Sequence, residues 1–77
     1  MIEIPDGARF VRQGKDRVDV QLLPGQVVEF GGLDVTGAMV FRRVGRWWSV
    51  FVVGGSGAWE PFRVGEQDVP DVVKDML

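Results

Sequence analysis

The 77-residue sequence contains no cysteine, no histidine and no tyrosine. The absence of cysteine excludes disulfides and thiolate metal sites. Without histidine the chain also lacks the commonest general base and the usual nitrogen ligand of transition metals. The hydroxyls of Thr36, Ser49 and Ser56 stand in no nucleophile-elbow or phosphate-loop motif. We therefore expect no enzymatic activity, no catalytic residues, no cofactor and no metal site, although an oxygen-bound magnesium or calcium ion stays open.

Long apolar runs are also missing, which excludes a membrane-spanning helix on sequence grounds. The first residues, MIEIPDG, carry acids and a proline where a signal peptide has a basic start and an apolar run. We therefore expect a cytoplasmic protein without membrane contact. Arginine outnumbers lysine seven to two and asparagine is absent. That bias is typical of GC-rich genomes and suggests an actinobacterium or one of its phages, whose host cytoplasm would then be the location.

The composition is that of a folded protein, with 45% hydrophobic and 26% charged residues. Its length predicts one domain over 1–77, which buries only about 60% of the surface of the unfolded chain. Oligomerisation or a partner would add stability. The net charge of −2 is uneven: residues 1–41 carry −2, residues 42–63 carry +3 and residues 64–77 carry −3. A basic centre between acidic ends bears on the choice of partners rather than on the fold.

Glycine and proline at short intervals predict an all-β domain. Alternation predicts strands at 8–13 and 17–22, and segments between glycine and proline turn signals predict further strands at 26–30, 38–44, 47–53 and 58–64, with a loop at 33–37. Because Pro61 cannot donate a ladder hydrogen bond, the last strand should lie at a sheet edge or break there.

The C-terminal residues change from a strand to a helix period. Val69, Val72, Val73 and Met76 recur at helical spacing, so we predict a helical cap over 69–77 with Asp68 as its N-cap. Two turns are too short to be stable alone, and the helix must dock on the sheet. The predicted fold is a small antiparallel, partly open barrel of five to six strands with this helix.

Two segments, GQVVEF and GRWWSVFVVGGSGAWEPF, resemble the middle of a Src homology 3 (SH3-like) barrel over about residues 25–62. The resemblance implies the barrel, and in the peptide-binding members of that family Trp47 and Pro61 would line a groove for proline-rich ligands. The chain departs from those members because it has no tyrosine, no ALYDY-like strand and no acidic loop for an arginine. From this resemblance we therefore predict the barrel fold, and we do not predict binding of proline-rich ligands.

The strand at 47–53 is apolar on both faces: Trp47, Ser49, Phe51 and Val53 on one, and Trp48, Val50 and Val52 on the other. Such a strand needs two coverings. The core supplies one, and the other is the C-terminal helix, a sister subunit or a partner.

Two interpretations follow. In the first, the helix and the ends of the barrel bury both sets of side chains, which serve only as core. In the second, rings of Trp47, Trp59 and Phe51 or Phe41 stay partly exposed beside arginines, because tryptophan and arginine dominate interaction hot spots. One or two tryptophans should be buried. The predicted partner-binding residues are Trp47, Trp59, Arg42, Arg43, Arg46 and Arg63.

The predicted function is thus a non-catalytic protein-interaction or accessory module for a partner with an acidic surface. Two alternatives stay open. One is a barrel that binds single-stranded nucleic acid, which the acidic pI near 4.9 disfavours. The other is a self-assembling structural subunit, for instance of a virion, which predicts a defined homo-oligomer.

Overall fold

A computed structural model describes residues 2–54 and 61–77. The described chain is mostly antiparallel β-sheet with one short α-helix, which confirms the β class and the terminal helix. The strands are β1 (Arg9–Gln13), β2 (Arg17–Gln21), β3 (Val28–Phe30), β4 (Leu33–Val35), β5 (Ala38–Val44), β6 (Trp47–Val53) and β7 (Phe62–Val64). A 3₁₀ turn (Glu66–Asp68) and helix α1 (Asp71–Met76) follow.

The strands form a five-stranded sheet in the order β1-β2-β5-β6-β7 and a two-stranded sheet of β3 and β4. Over the described residues the two sheets are not closed into a barrel. The short strand β7 lies at one edge of the larger sheet, where the prediction from Pro61 places it. The residues of the predicted last strand before Pro61 fall outside the described part of the chain.

The alternation of side chains decides which side of the large sheet is buried. Val18 and Val20 of β2 are fully buried, whereas Arg17 and Gln21 of the same strand are exposed. Strands β5 and β6 continue this pattern over seven residues each, and their predicted bounds match the structure. One core results, formed by Ile2, Val18, Val20, Val28, Val35, Met39, Phe41, Trp48, Val50, Val52, Val69 and Val73.

The predicted loop at 33–37 is wrong, since Leu33–Val35 forms β4 and pairs with β3. Three residues are too few to show a strand's alternation in the sequence. Pairing with β3 and packing of Val35 against the core make this segment a strand. Val28 and Val35 are buried in the same core as the large sheet. The Phe30 and Phe62 rings also meet edge to face, with 5.2 Å between centroids.

Helix α1 packs on its own chain, because Val69 and Val73 are fully buried in the core. The predicted N-cap, Asp68, is wrong: it ends the 3₁₀ turn, and Pro70 occupies the N-cap position with a φ of −57° and a ψ of 142°. Pro70 presets the φ with which the chain enters the helix. The backbone N–H of Ile2 donates to the carbonyl oxygen of Asp68 at 3.1 Å, so both terminal segments close the same side of the core.

Strands β5 and β6 are joined by the two-residue turn Gly45-Arg46. Gly45 has a φ of 60° and Arg46 does not have a positive φ, the pattern of a type II′ turn. Glycine adopts this conformation without the steric cost that a Cβ imposes. The turn fixes the register in which Arg42 faces Ser49 and Val44 faces Trp47.

Candidate functional site

The side of the large sheet that faces away from the core is called here the outer face. It is formed around its centre by Arg17, Asp19, Val40, Arg42, Trp47, Ser49, Phe51, Val53 and Arg63. Val73 of helix α1 and Val28 and Val35 of the β3–β4 hairpin are buried on the opposite side. Val72, which the helical spacing places with Val73, is instead 50% exposed. Of the two coverings that β6 requires, the described elements therefore provide the one on the core side.

A row of arginines crosses the outer face at right angles to the strands. The register places Arg17 of β2 opposite Arg42 of β5, Arg42 opposite Ser49 of β6, and Ser49 opposite Arg63 of β7. Directly opposite residues of antiparallel strands lie close enough for their side chains to interact. Arg42 and Arg63 therefore flank the Ser49 hydroxyl from the two neighbouring strands, and Arg17 extends the row onto β2.

Apolar side chains border this row on both sides. Val40 is paired with Phe51 on one side, and Val44 with Trp47 on the other. Trp47, Val40 and Phe51 are half-buried, whereas 46% of Val53 is exposed. Arg42 thus lies between Val40 and Val44 along β5, and Ser49 lies between Trp47 and Phe51 along β6.

An open depression of about 670 Å³ lies over this part of the sheet. Its basic side chains are Lys15, Arg17 and Arg42, and its apolar ones include Val40, Phe51 and Val53. Ser49 and Pro61 also line it. The depression combines charge with apolar area, as the centre and rim of a protein interface do.

The three arginines of the row differ in how far they are already neutralised. Arg17 makes two bonds to Asp19, from Nε to Oδ1 at 2.7 Å and from Nη2 to Oδ2 at 3.0 Å. This hydrogen-bonded carboxylate raises the pKa of Arg17 above its ordinary value. Within residues 2–54 and 61–77, no carboxylate forms an ion pair with Arg42 or Arg63. Two guanidinium groups are thus available to an external anion.

Arg63 is held in place by a ring. Its Cζ lies 4.9 Å from the centroid of the Trp47 ring, within the range of a cation–π contact. The contact orients the guanidinium without neutralising its charge. Trp47 therefore supplies apolar area and also positions one cation of the row.

The structure brings together three of the predicted partner-binding residues, Trp47, Arg42 and Arg63, on the outer face. Arg43 lies on the other side of β5, where its backbone N–H donates to the Asp16 carbonyl oxygen at 2.8 Å and its Nη2 lies 3.4 Å from Asp16 Oδ1. Arg46 is exposed in the β5–β6 turn. Their role as partner contacts stays a prediction.

Two further expectations concern the aromatic residues. Trp48 is buried at 5% exposure, and of the two phenylalanine candidates Phe41 is buried while Phe51 lines the depression. The predicted contact residue Trp59 lies outside the described residues.

Sequence reasoning missed Arg17, Lys15 and Val40 as members of the site. Arg17 joins the row only because β2 pairs with β5 in the sheet, although the β3–β4 hairpin lies between these two strands in the sequence. Strand alternation alone could have separated Arg42 from Arg43, because successive strand residues point to opposite faces.

The arrangement offers cations, apolar area and the Ser49 hydroxyl to a bound molecule. Guanidinium groups donate paired, charge-assisted hydrogen bonds to carboxylates and phosphates. No group of three or more acidic side chains that could hold a metal ion occurs in the part of the chain that the structure describes.

No protein-family model, no curated protein and no solved structure matches the chain. No helix within residues 2–54 and 61–77 has the length and apolar character needed to cross a membrane. The function is therefore inferred from the outer face itself.

Proposed function

We propose that this chain is a non-catalytic protein-interaction module whose outer face binds an acidic surface of a partner protein. The observation that supports it is the pair of arginines, Arg42 and Arg63, that flank Ser49 without carboxylate partners among the described residues. Half-buried Trp47 and Phe51 beside them supply apolar area. A partner gains most where such a ring and a charged group are desolvated together.

The chemistry of the face selects the partner. Covering a guanidinium without a counter-charge costs free energy, so a partner that lacks carboxylates at these positions is disfavoured. A partner with carboxylates opposite Arg42 and Arg63 forms charge-assisted hydrogen bonds and associates faster. The partner surface should therefore be acidic with an apolar centre.

The SH3-like barrel belongs to the same proposal. The β3–β4 hairpin and the large sheet enclose one core, and the Phe30–Phe62 contact joins them. Two sheets around one core form a partly open barrel when their strands continue into each other at the corners. This arrangement would leave the outer face as the outside of the barrel wall.

Binding of single-stranded nucleic acid is the second candidate, because the same row places cations beside the Trp47 and Phe51 rings. Phosphates could bind the arginines while bases stack on the rings. The net charge of −2 weakens attraction to a polyanion. Binding to single-stranded DNA or RNA at low salt that falls steeply as salt is added would favour this candidate over the first.

Adjacent arginines on opposite sides of β5 provide a matched test. Arg42→Gln should weaken binding to a protein captured from the source cells by about tenfold, or roughly 1.4 kcal/mol, because arginines at the centre of an interface are enriched among the residues that carry most of its binding energy. Arg43→Gln removes the same charge from the other side of β5 and tests the prediction that Arg43 also contacts the partner. If the contact surface is the outer face alone, the affinity should change less than about twofold. Equal losses in the two variants, measured by titration calorimetry, would place the contact surface elsewhere.

A further inference from the structure

We propose that a second copy of this chain supplies the acidic surface, by docking the exposed side of helix α1 on the outer face of its neighbour. The inference rests on the proposed function, because it uses the same arginine row. It adds the identity of a partner and predicts that the protein associates with itself head to tail.

Helix α1 presents an acidic ridge with an apolar centre. Asp71, Val72 and Asp75 are exposed, while Val73 faces the core. Half of the Val72 surface is accessible, and the side chain of Asp71 is 78% exposed even though it contacts Lys74 at 3.4 Å. A valine between two carboxylates is the pattern that the outer face should select.

The two surfaces are complementary in charge. Residues 64–77, which include α1, carry −3. The depression on the outer face is lined by Lys15, Arg17 and Arg42 and by the carboxylate of Asp16. Asp19 pairs with Arg17 and Arg43 pairs with Asp16, so Lys15 and Arg42 are its cations without a carboxylate partner among the described residues. The depression is also concave, and Val40, Phe51 and Val53 contribute apolar area to its lining, as docking of a convex helix surface with an exposed valine requires.

The positions of the two surfaces determine the symmetry of the contact. Val73 buries α1 on the core side of the sheet, whereas Arg42 and Ser49 lie on the other side. A contact between these different surfaces is heterologous, because each chain uses its helix for one neighbour and its outer face for another. Further copies can therefore add until the chains close into a ring, or continue as an open filament.

Sedimentation velocity over about a hundredfold range of concentration tests the inference, because mass action drives self-association. The average mass of the wild-type chain should rise above the monomer mass of 8.6 kDa and return to it as salt is added. Arg42→Glu should abolish the rise by disabling the face, and Val72→Lys with Asp75→Lys should abolish it by disabling the helix. The control variant Val27→Lys with Asp34→Lys changes an equally exposed valine and an exposed acid outside both surfaces, and should associate like the wild type.

A mixture of the two disabled variants gives the most decisive test. The Arg42→Glu variant keeps an intact helix, and the variant with Val72→Lys and Asp75→Lys keeps an intact outer face, so the first can dock on the second. The two surfaces left over in that pair are the disabled ones, and no third chain can bind. An equimolar mixture should therefore form a one-to-one dimer, although each variant alone is monomeric. Circular dichroism melting confirms that both variants fold, and Asp75→Lys alone replaces the double variant if that one melts early.

Three results would overturn the inference: a wild-type chain that stays monomeric throughout, a helix variant that still associates by itself, or folded variants that fail to pair on mixing. A monomeric wild type whose binding to another protein is weakened by Arg42→Gln would leave the proposed function intact. If the wild type is monomeric and Arg42→Gln also leaves binding to another protein unchanged, both the self-association inference and the proposed function are wrong.

Discussion

Replacing Phe51 by alanine should cost much less stability than replacing Phe41, although the two rings lie on adjacent strands. Phe41 is fully buried in the core, whereas Phe51 is half-buried on the outer face, where Val40 is its cross-strand neighbour. The comparison tests whether the outer face is open in the free protein. It needs no knowledge of the partner.

The expected magnitudes follow from burial. Truncating a fully buried phenylalanine to alanine costs about 3–5 kcal/mol, because transfer and cavity terms add. At Phe51 no closed cavity forms, and the loss is limited to part of the transfer free energy and one cross-strand pair, about 1–2 kcal/mol. For a chain of 77 residues the whole free energy of unfolding is roughly 4–12 kcal/mol. Phe41→Ala should therefore remove between about a quarter and all of that free energy, whereas Phe51→Ala should remove at most about half of it.

Urea unfolding followed by tryptophan fluorescence measures both changes, with unchanged m-values as the condition for comparing midpoints. In a thermal melt each kcal/mol corresponds to roughly 4–8 °C in Tm for a domain of this size. A loss at Phe51 equal to that at Phe41 would refute the reasoning. It would mean that Phe51 is enclosed in the free protein, and that the outer face is a second core.

Two further predictions concern the frame around the site. Gly37→Ala should destabilise the fold by about 1–3 kcal/mol in the same assay, because a Cβ there would collide with the backbone carbonyl oxygen of Val53; a variant as stable as the wild type would show that the two backbones do not meet. Arg63→Ala and Trp47→Leu should couple by about 0.5–1 kcal/mol in a double-mutant cycle, since the guanidinium lies over the ring; additive losses would contradict that contact.

The long hairpin could be predicted from the sequence because local signals agree. Apolar, β-branched and aromatic residues run on both sides of Gly45-Arg46 and indicate β5 and β6, and glycine marks the turn between them. The terminal helix was visible in the spacing of Val69 and Val73. The predicted N-cap failed because Pro70, two residues later, determines where the helix begins.

The site could be predicted only in part. Trp47, Arg42 and Arg63 lie together as the excess of arginine and tryptophan suggested. Arg17 depends on the pairing of β2 with β5, a long-range contact that no local pattern encodes. Strand β4 also depends on its context, because only packing against the core distinguishes its three residues from a loop.

Site-specific photocrosslinking tests the central claim most directly. A benzophenone amino acid in place of Ser49, at the centre of the arginine row, should crosslink to the bound protein, whether a second copy or another partner. The same group in place of Asp34, exposed on β4 and outside the outer face, should give no such adduct. Crosslinking from position 34 with none from position 49 would contradict the claim that the outer face is the contact surface.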